Sequence, residues 1–280
     1  MKFDTYSDYD PRATSQTLPA FLTVWPGLGN YHDELVLLGG MVPLYLCKHP
    51  TGERALPRPA TLDVDFGISL GASAGQYGTL STDLRAQGFR PSTRHSGRFE
   101  REVVGFTVYV DFLVEDGDQP RGTRLVDDVP ANVMPGVVRA LKTARRVPVT
   151  GLDLYGADQR VTARVCEVGP FLTLKLRAFF HRQQGKDAFD LLYTLLHYDG
   201  GTDAAIAAFA AEGSTENPAM PDAKRALETL FADENAPGPV KAAHFVHGPV
   251  QPGESTDLRT RRLQVRQDTA FAADALRRSL

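Results

Sequence analysis

The fold turns on two neighbouring segments, Glu34-Leu35-Val36-Leu37-Leu38-Gly39-Gly40 and Thr61-Leu62-Asp63-Val64-Asp65-Phe66-Gly67. In the second, two carboxylates alternate with Leu62, Val64 and Phe66, the pattern of a β-strand with one polar face. Alternate residues on a strand share a face, so Asp63 and Asp65 point the same way, about 6–7 Å apart at Cα. Two acidic groups on an otherwise buried strand are costly unless something positive lies between them, and a divalent cation is the usual answer. The first segment carries a continuous apolar run, Leu35 to Leu38, that fits a buried strand. Gly39-Gly40 at its end lets the backbone approach a bulky anion. Met41, Leu44 and Tyr45 then predict a helix with Pro43 in its first turn.

Between the two segments, Cys47 to Ala60 reads as a long loop bearing Lys48, Arg54 and Arg58, close enough in sequence to the acidic pair to reach a triphosphate or simply to be solvated. Before them, residues 1–17 read as an irregular lead-in, and Leu18 to Trp25 as a short helix. After them come the glycine-rich Gly71-Ala72-Ser73-Ala74-Gly75 and a helix from Thr79 to Gln87 capped by Gly88. Two strands follow, Arg98 to Val104 and Phe106 to Glu115, joined by a tight turn at Gly105. On the second, Asp111 lies inside the apolar run Val108 to Val114 and shares a face with Thr107, Tyr109 and Leu113. A buried aspartate needs a partner, which a metal held with Asp63 and Asp65 would supply.

Asp116 to Pro135 reads as loop, and Val137 to Val147 as a basic helix with Arg139, Lys142, Arg145 and Arg146. Leu152 to Val168 suggests a further hairpin turning near Ala157-Asp158. An apolar helix from Phe171 to Arg182 places Lys175 on a mostly buried surface, where it needs a counter-charge. Gln183-Gln184-Gly185 breaks that helix. Asp187 begins the next, where it suits a helix N-terminus as well as a catalytic cleft, and Asp190 follows one turn later. Beyond Tyr198 come alanine-rich helices at Ala204 to Ala211 and Ala223 to Ala232, a Pro237-Gly238-Pro239 segment, and a helix from Thr269 to Leu280.

A phosphate cradle beside paired carboxylates is the composition of a metal-dependent nucleotidyl-transfer site, in which two metal ions bridge the phosphates and activate a hydroxyl. Asp63 and Asp65 would hold the triphosphate-side ion, Mg2+ or Mn2+, and Asp111 the nucleophile-side ion. Gly39 and Gly40 would turn backbone N–H groups to the phosphates, and Thr61, on the face of Asp63, would bond one of them. The ordered set of Gly39-Gly40, Asp63-x-Asp65, Asp111 and the Leu174-Lys175-Leu176-Arg177-Ala178 and Lys186-Asp187-Ala188-Phe189-Asp190-Leu191 segments resembles the DNA polymerase β-like nucleotidyltransferase superfamily. Within it the set is most similar to the AbiEii-type toxins of bacterial toxin–antitoxin systems, over roughly Leu35 to Tyr198.

The resemblance implies an α+β fold, with a mixed β-sheet flanked by helices over 1–168 and a mainly helical domain over 169–280 that completes the active-site cleft. It implies transfer of a nucleoside monophosphate from an NTP to a tRNA acceptor end, restrained by an antitoxin protein. It further implies that Lys175 stabilises developing charge and that Asp187 or Asp190 orients Lys175 or touches the base. The serine that often follows the first glycine in this superfamily is absent here, and Lys186 stands where arginine is common. A protein or small-molecule hydroxyl as acceptor, or a nucleotide-binding module without turnover, are the competing readings.

Composition agrees with an ordinary globular protein, with 42% apolar and 23% charged residues among 280. The net charge of −3 gives no whole-molecule pull towards nucleic acid, so an RNA contact would fall to local clusters. These are Arg85, Arg90, Arg94, Arg98 and Arg101, the 139–146 group, and Arg259, Arg261 and Arg262. The only cysteines, Cys47 and Cys166, have no zinc or disulfide spacing. No apolar run reaches the length of a membrane span and Met1 to Asp8 lacks a signal-peptide core, so the expectation is a cytoplasmic protein.

Overall fold

The computed structural model describes residues 3–52, 55–70, 80–119, 121–126 and 128–280. The glycine-rich run at 71–75, Arg54 and the first residue of the predicted 79–87 helix lie outside them. The fold is α+β, with a mixed sheet flanked by helices and a helical C-terminal region. The chain forms two compact units, one of residues 10–45 and 60–167, the other of 1–9, 46–59 and 168–280. The helical unit thus also holds 1–9 and 46–59, which the sequence reading placed with the sheet.

The sheet unit carries β1 (Leu35–Leu38), β2 (Asp63–Ile68), β3 (Arg90–Pro91), β4 (Arg98–Val103), β5 (Phe106–Val114), β6 (Thr123–Val126), β7 (Val129–Val133), β8 (Arg145–Leu152) and β9 (Asp158–Val165). Its order is β3-β4-β5-β2-β1-β9-β8, with the β6–β7 hairpin joined to the end of β5 through β7. β2 runs antiparallel to β1 and parallel to β5 at the centre of the sheet. One face of these strands buries Val64, Phe66, Val110 and Phe112. Against it packs α2 (Thr17–Gly27), whose Phe21 and Trp25 rings lie 6.2 and 5.9 Å from Phe66. On the other face, Val137 of α5 (Val137–Lys142) packs over Gly67, and Glu115 caps that helix by accepting from the Gly136 N–H at 2.6 Å. Beyond Gly67 towards the start of β2 the same face presents Asp65 and Asp63.

Several elements differ from the sequence reading. The lead-in contains a turn of helix, α1 (Pro11–Thr14), opened by Asp10, which accepts from the Arg12 N–H at 2.8 Å. The helix after Gly40 is a 3-10 turn followed by the single turn α3 (Pro43–Leu46), so its dipole is slight. The region 116–135 is not all loop but holds the β6–β7 hairpin. The basic helix stops at Lys142, and Arg145 and Arg146 open β8, because Val147, Pro148, Val149 and Thr150 favour strand and a proline cannot continue the helix. The hairpin predicted over 152–168 is instead β8–β9, starting at Arg145 and turning at 153–157.

The helical unit comprises α6 (Val168–Arg182), α7 (Gly185–His197), α8 (Thr202–Gly213), α9 (Met220–Thr229), α10 (Pro237–His247) and α11 (Thr256–Arg278); α4 (Leu80–Ala86) belongs to the sheet unit. α7 is its core, with the Phe189 ring tilted against Phe245 of α10 at 5.1 Å. At Gly185 a Cβ would come within 2.6 Å of the Lys241 carbonyl, so only glycine allows this approach of α7 to α10. Tyr6 and Tyr9 set their ring edges on Phe245, which ties the N-terminal segment to this unit. The 46–59 segment is held by a bridge between Cys47 and Tyr198, by the Lys48 N–H on the His197 carbonyl at 2.8 Å, and by His49 on the Tyr193 hydroxyl at 2.9 Å. Burial pushes the Cys47 thiol up to about 12, the state of a small core residue. The Pro237-Gly238-Pro239 segment opens α10, since proline is favourable in a first turn and Gly238 lies against the Phe231 ring. The C-terminal helix begins at Thr256, capped by Ser255, well before the predicted Thr269. No helix among the described residues is long and apolar enough to cross a membrane.

Candidate active site

The register of the sheet builds an acidic site. Asp65 lies beside Asp111 across the parallel β2–β5 pair, and Asp63 lies beside Tyr109. Register partners share a face, so Asp63, Asp65 and Asp111 emerge together, each with a carboxylate oxygen within 4.8 Å of the others. This is the only group of three such potential ligands among the described residues. Asp63 and Asp111 are buried and Asp65 is half-buried.

Gly39 forms one wall. Its φ of 68° is left-handed, and a Cβ there would fall 1.7 Å from Asp65 Oδ2. A side chain at 39 would therefore be strained and would also displace the Asp65 carboxylate. Gly40 follows, buried, in the same 3-10 turn. Thr61 donates to Asp63 Oδ1 at 2.5 Å and fixes that carboxylate; its own carbonyl accepts from the Thr17 hydroxyl at 2.7 Å.

The charge opposite these carboxylates belongs to Arg98, read from the sequence as part of an RNA-contact cluster. Its Nε donates to Asp111 Oδ1 at 2.7 Å and its Nη2 to Asp111 Oδ2 at 2.6 Å, a two-pronged fork. The same Nη2 reaches Asp63 Oδ2 at 3.4 Å, and the guanidinium stacks 4.5 Å from the Tyr109 ring centre. Burial pushes the Asp111 carboxyl above its usual range, an effect Arg98 opposes and Asp63 reinforces. Burial also works against charge on Arg98, but the bonds and charge of Asp111, with Asp63 and Asp65, outweigh it and raise the Arg98 pKa.

Arg98 was legible in principle. The two-residue turn Val104-Gly105, with φ of 48° and 81°, pairs Val103 with Phe106. Counting five residues back along β4 and five forward along β5 then places Arg98 directly across from Asp111.

Three hard carboxylate oxygens this close suit Mg2+ or Mn2+, and the absence of a Cβ at Gly39 leaves room for the Asp65 carboxylate there. The residues therefore fit a divalent ion, with Arg98 already neutralising part of the set.

Lys175, Asp187 and Asp190 come together in the helical unit. Lys175 Nζ lies 2.5 Å from Asp190 Oδ2 and 3.4 Å from Asp187 Oδ1. Lys186 shares Asp190 Oδ2 at 2.7 Å, and Arg182 forks Asp187 at 2.6 and 2.7 Å. Both carboxylates are fully buried. The roles of Lys186 and Arg182 go beyond the sequence expectation, although Lys186 stands four residues before Asp190, the spacing of neighbours on one helix face. Asp187 lies in the first turn of α7, but its carboxylate is taken by these cations. Arg58 belongs to the helical unit, where its charge lowers the Tyr6 and Tyr193 pKa values that burial raises.

The basic clusters are partly spent on internal contacts. Arg262 is buried on Glu254 at 2.6 Å, Arg145 meets Glu167 at 3.5 Å, and Arg101 bonds the Gln87 carbonyl at 2.6 Å. Comparison with protein-family models, curated proteins and solved structures returned no match.

Proposed function

We propose that the chain is a nucleotidyltransferase that uses Mg2+ or Mn2+ to move a nucleoside monophosphate from an NTP to a hydroxyl acceptor, releasing pyrophosphate. The observation that carries this reading is the convergence of Asp63, Asp65 and Asp111 on one face of β2 and β5, against the left-handed Gly39. These carboxylates would hold the cation, which when bound supplies positive charge for the phosphates and acidifies an attacking hydroxyl. The chain's own groups do the positioning. Thr61 orients Asp63, Arg98 orients Asp111, and the N–H groups at Gly39 and Gly40 would serve a phosphate. Lys175, Lys186 and Arg182 carry one more charge than Asp187 and Asp190 neutralise, which favours binding of an anion.

The acceptor follows from the AbiEii resemblance: a tRNA acceptor end, with an antitoxin as the restraining partner. A specific observation favours a second acceptor class. Arg98 and Arg262, offered for RNA, are buried in ion pairs, which lowers the cationic surface open to a phosphate backbone and favours a protein or small-molecule hydroxyl. The test is incubation of the purified chain and Mg2+ or Mn2+ with each α-labelled NTP, total cellular RNA and cell protein. Label in tRNA supports the first acceptor, and label in protein or a small product the second. Nucleotide binding without any transfer would reject the enzyme.

A further inference from the structure

We infer that Arg98 stands permanently in the place of one of the two cations that a three-carboxylate nucleotidyl-transfer site would otherwise hold, so that the chain itself binds a single divalent ion, on the Asp63–Asp65 side. The inference rests on the nucleotidyltransferase reading and specifies its metal requirement.

Both oxygens of Asp111 are engaged by the Arg98 fork, at 2.7 and 2.6 Å. An ion entering on Asp111 would lie next to a guanidinium that has nowhere cheap to go. Arg98 is held by the β4–β5 register, by the face of Tyr109 at 4.5 Å and by burial, its side chain only 12% exposed. Moving it would separate a buried bidentate ion pair and leave both charges buried without each other.

Charge gives the same answer. With the Arg98 guanidinium beside the three carboxylates, a second divalent ion meets less negative charge than it would at three carboxylates alone. The contacts of Arg98 are also asymmetric. Asp65 lies against a glycine wall and forms no direct bond to Arg98, while Asp63 gives it only a single contact at 3.4 Å. The cation-binding edge is therefore Asp63 and Asp65, and Arg98 is a positioning residue that keeps Asp111 fixed and neutralised.

The test counts Mn2+ bound by the full chain without nucleotide, by titration calorimetry and by the loss of the free-ion electron spin resonance signal. The wild-type chain is expected to take up one equivalent, and Asp65→Asn to lose it. Arg98→Gln frees Asp111 and is expected to gain a second equivalent, with circular dichroism checking that it folds. Arg98→Lys keeps the charge without the fork and is expected to stay at one. Two equivalents on the wild-type chain would overturn the inference while leaving the metal-site reading intact. One equivalent on both wild type and a folded Arg98→Gln would also overturn it. No uptake by either would reject the metal site and the inference with it. Should Arg98→Gln fail to fold, the wild-type count decides.

Discussion

The two clusters of charge in this protein are built to opposite rules. In the sheet unit three aspartates face one arginine, and the most accessible of them, Asp65, lies over a bare glycine backbone. In the helical unit three cations, Lys175, Arg182 and Lys186, enclose two aspartates that are fully buried. In the first set the carboxylates outnumber the arginine that pairs with them, and Asp65 is only half-buried. The second is nearly self-satisfied, and each of its members depends on the others. A residue's chemistry therefore does not forecast the effect of deleting it. Removing an aspartate should relieve repulsion in one cluster and strand buried lysines in the other.

The sharpest way to break this contrast is activity set beside stability. Asp65→Ala is expected to reduce transfer from labelled NTP by at least ~10²–10³, the scale of losing one strong electrostatic contact in a site. Its metal-free thermal midpoint should equal or exceed that of the wild type, because a repelling charge is gone. Full activity, or a large fall in midpoint, would end the proposed division.

Next in size is Asp190→Ala. It leaves Lys175 and Lys186 buried with only Asp187 nearby, and breaking a buried pair costs about 3–5 kcal/mol. Urea unfolding, followed by circular dichroism, should show that loss. A change under about 1 kcal/mol would mean that the network relaxes to solvent.

A smaller effect contrasts both clusters with an ordinary structural carboxylate. Asp153 accepts from the Ala157, Tyr155 and Gln159 N–H groups at 2.8–2.9 Å in the β8–β9 turn. The Ala157 bond leads in holding its carboxyl below the usual range, against the effect of burial. A depressed carboxyl contributes stability above its unfolded value, about 4, and loses it as pH falls through the folded value. The stability gap between wild type and Asp153→Asn should be constant above about pH 5 and close at lower pH. A gap unchanged by acid would show that the charge is irrelevant to the turn.

The smallest effect concerns RNA. Arg139 and Lys142 lie on α5, whereas Arg145 and Arg146 lie on β8. If tRNA is bound through this region, replacing Arg139 and Lys142 by Gln should lower the slope of log affinity against log salt by no more than about 0.9 per lost phosphate contact. Identical slopes would exclude α5 as a contact.

What could be read from the residues follows the range of the interactions involved. β1, β2 and β5 were legible because an apolar run or an alternating Asp pattern is a local signal, and the carboxylate set followed from strand periodicity. The join between Arg98 and Asp111 was also local, through a two-residue turn, but a strand arginine without its register looks like any surface charge. Arg145 and Arg146 read as the end of a basic helix, yet Pro148 and its β-branched neighbours draw them into β8. The α10 start was hidden because Pro-Gly-Pro is normally punctuation, and only packing on Phe231 makes it a helix opening. The docking of 1–9 and 46–59 onto helices far along the chain leaves no local trace at all.

That docking bears on the order in which the chain can fold during synthesis. Every segment of the sheet unit has been made once Glu167 is added, so β1–β9 can pair while the rest is still being translated. The segment with Cys47, Lys48 and His49 must wait, because His197, Tyr198 and Tyr193 come later. A chain halted after Glu167 is therefore expected to protect its β2 and β5 amides from hydrogen exchange and leave 46–59 unprotected. Protection of 46–59 in such a fragment would show that the sheet unit, not the helices, holds it. Until the helices arrive, this segment is a tether waiting inside an already folded neighbour's sequence, open to proteases and chaperones alike.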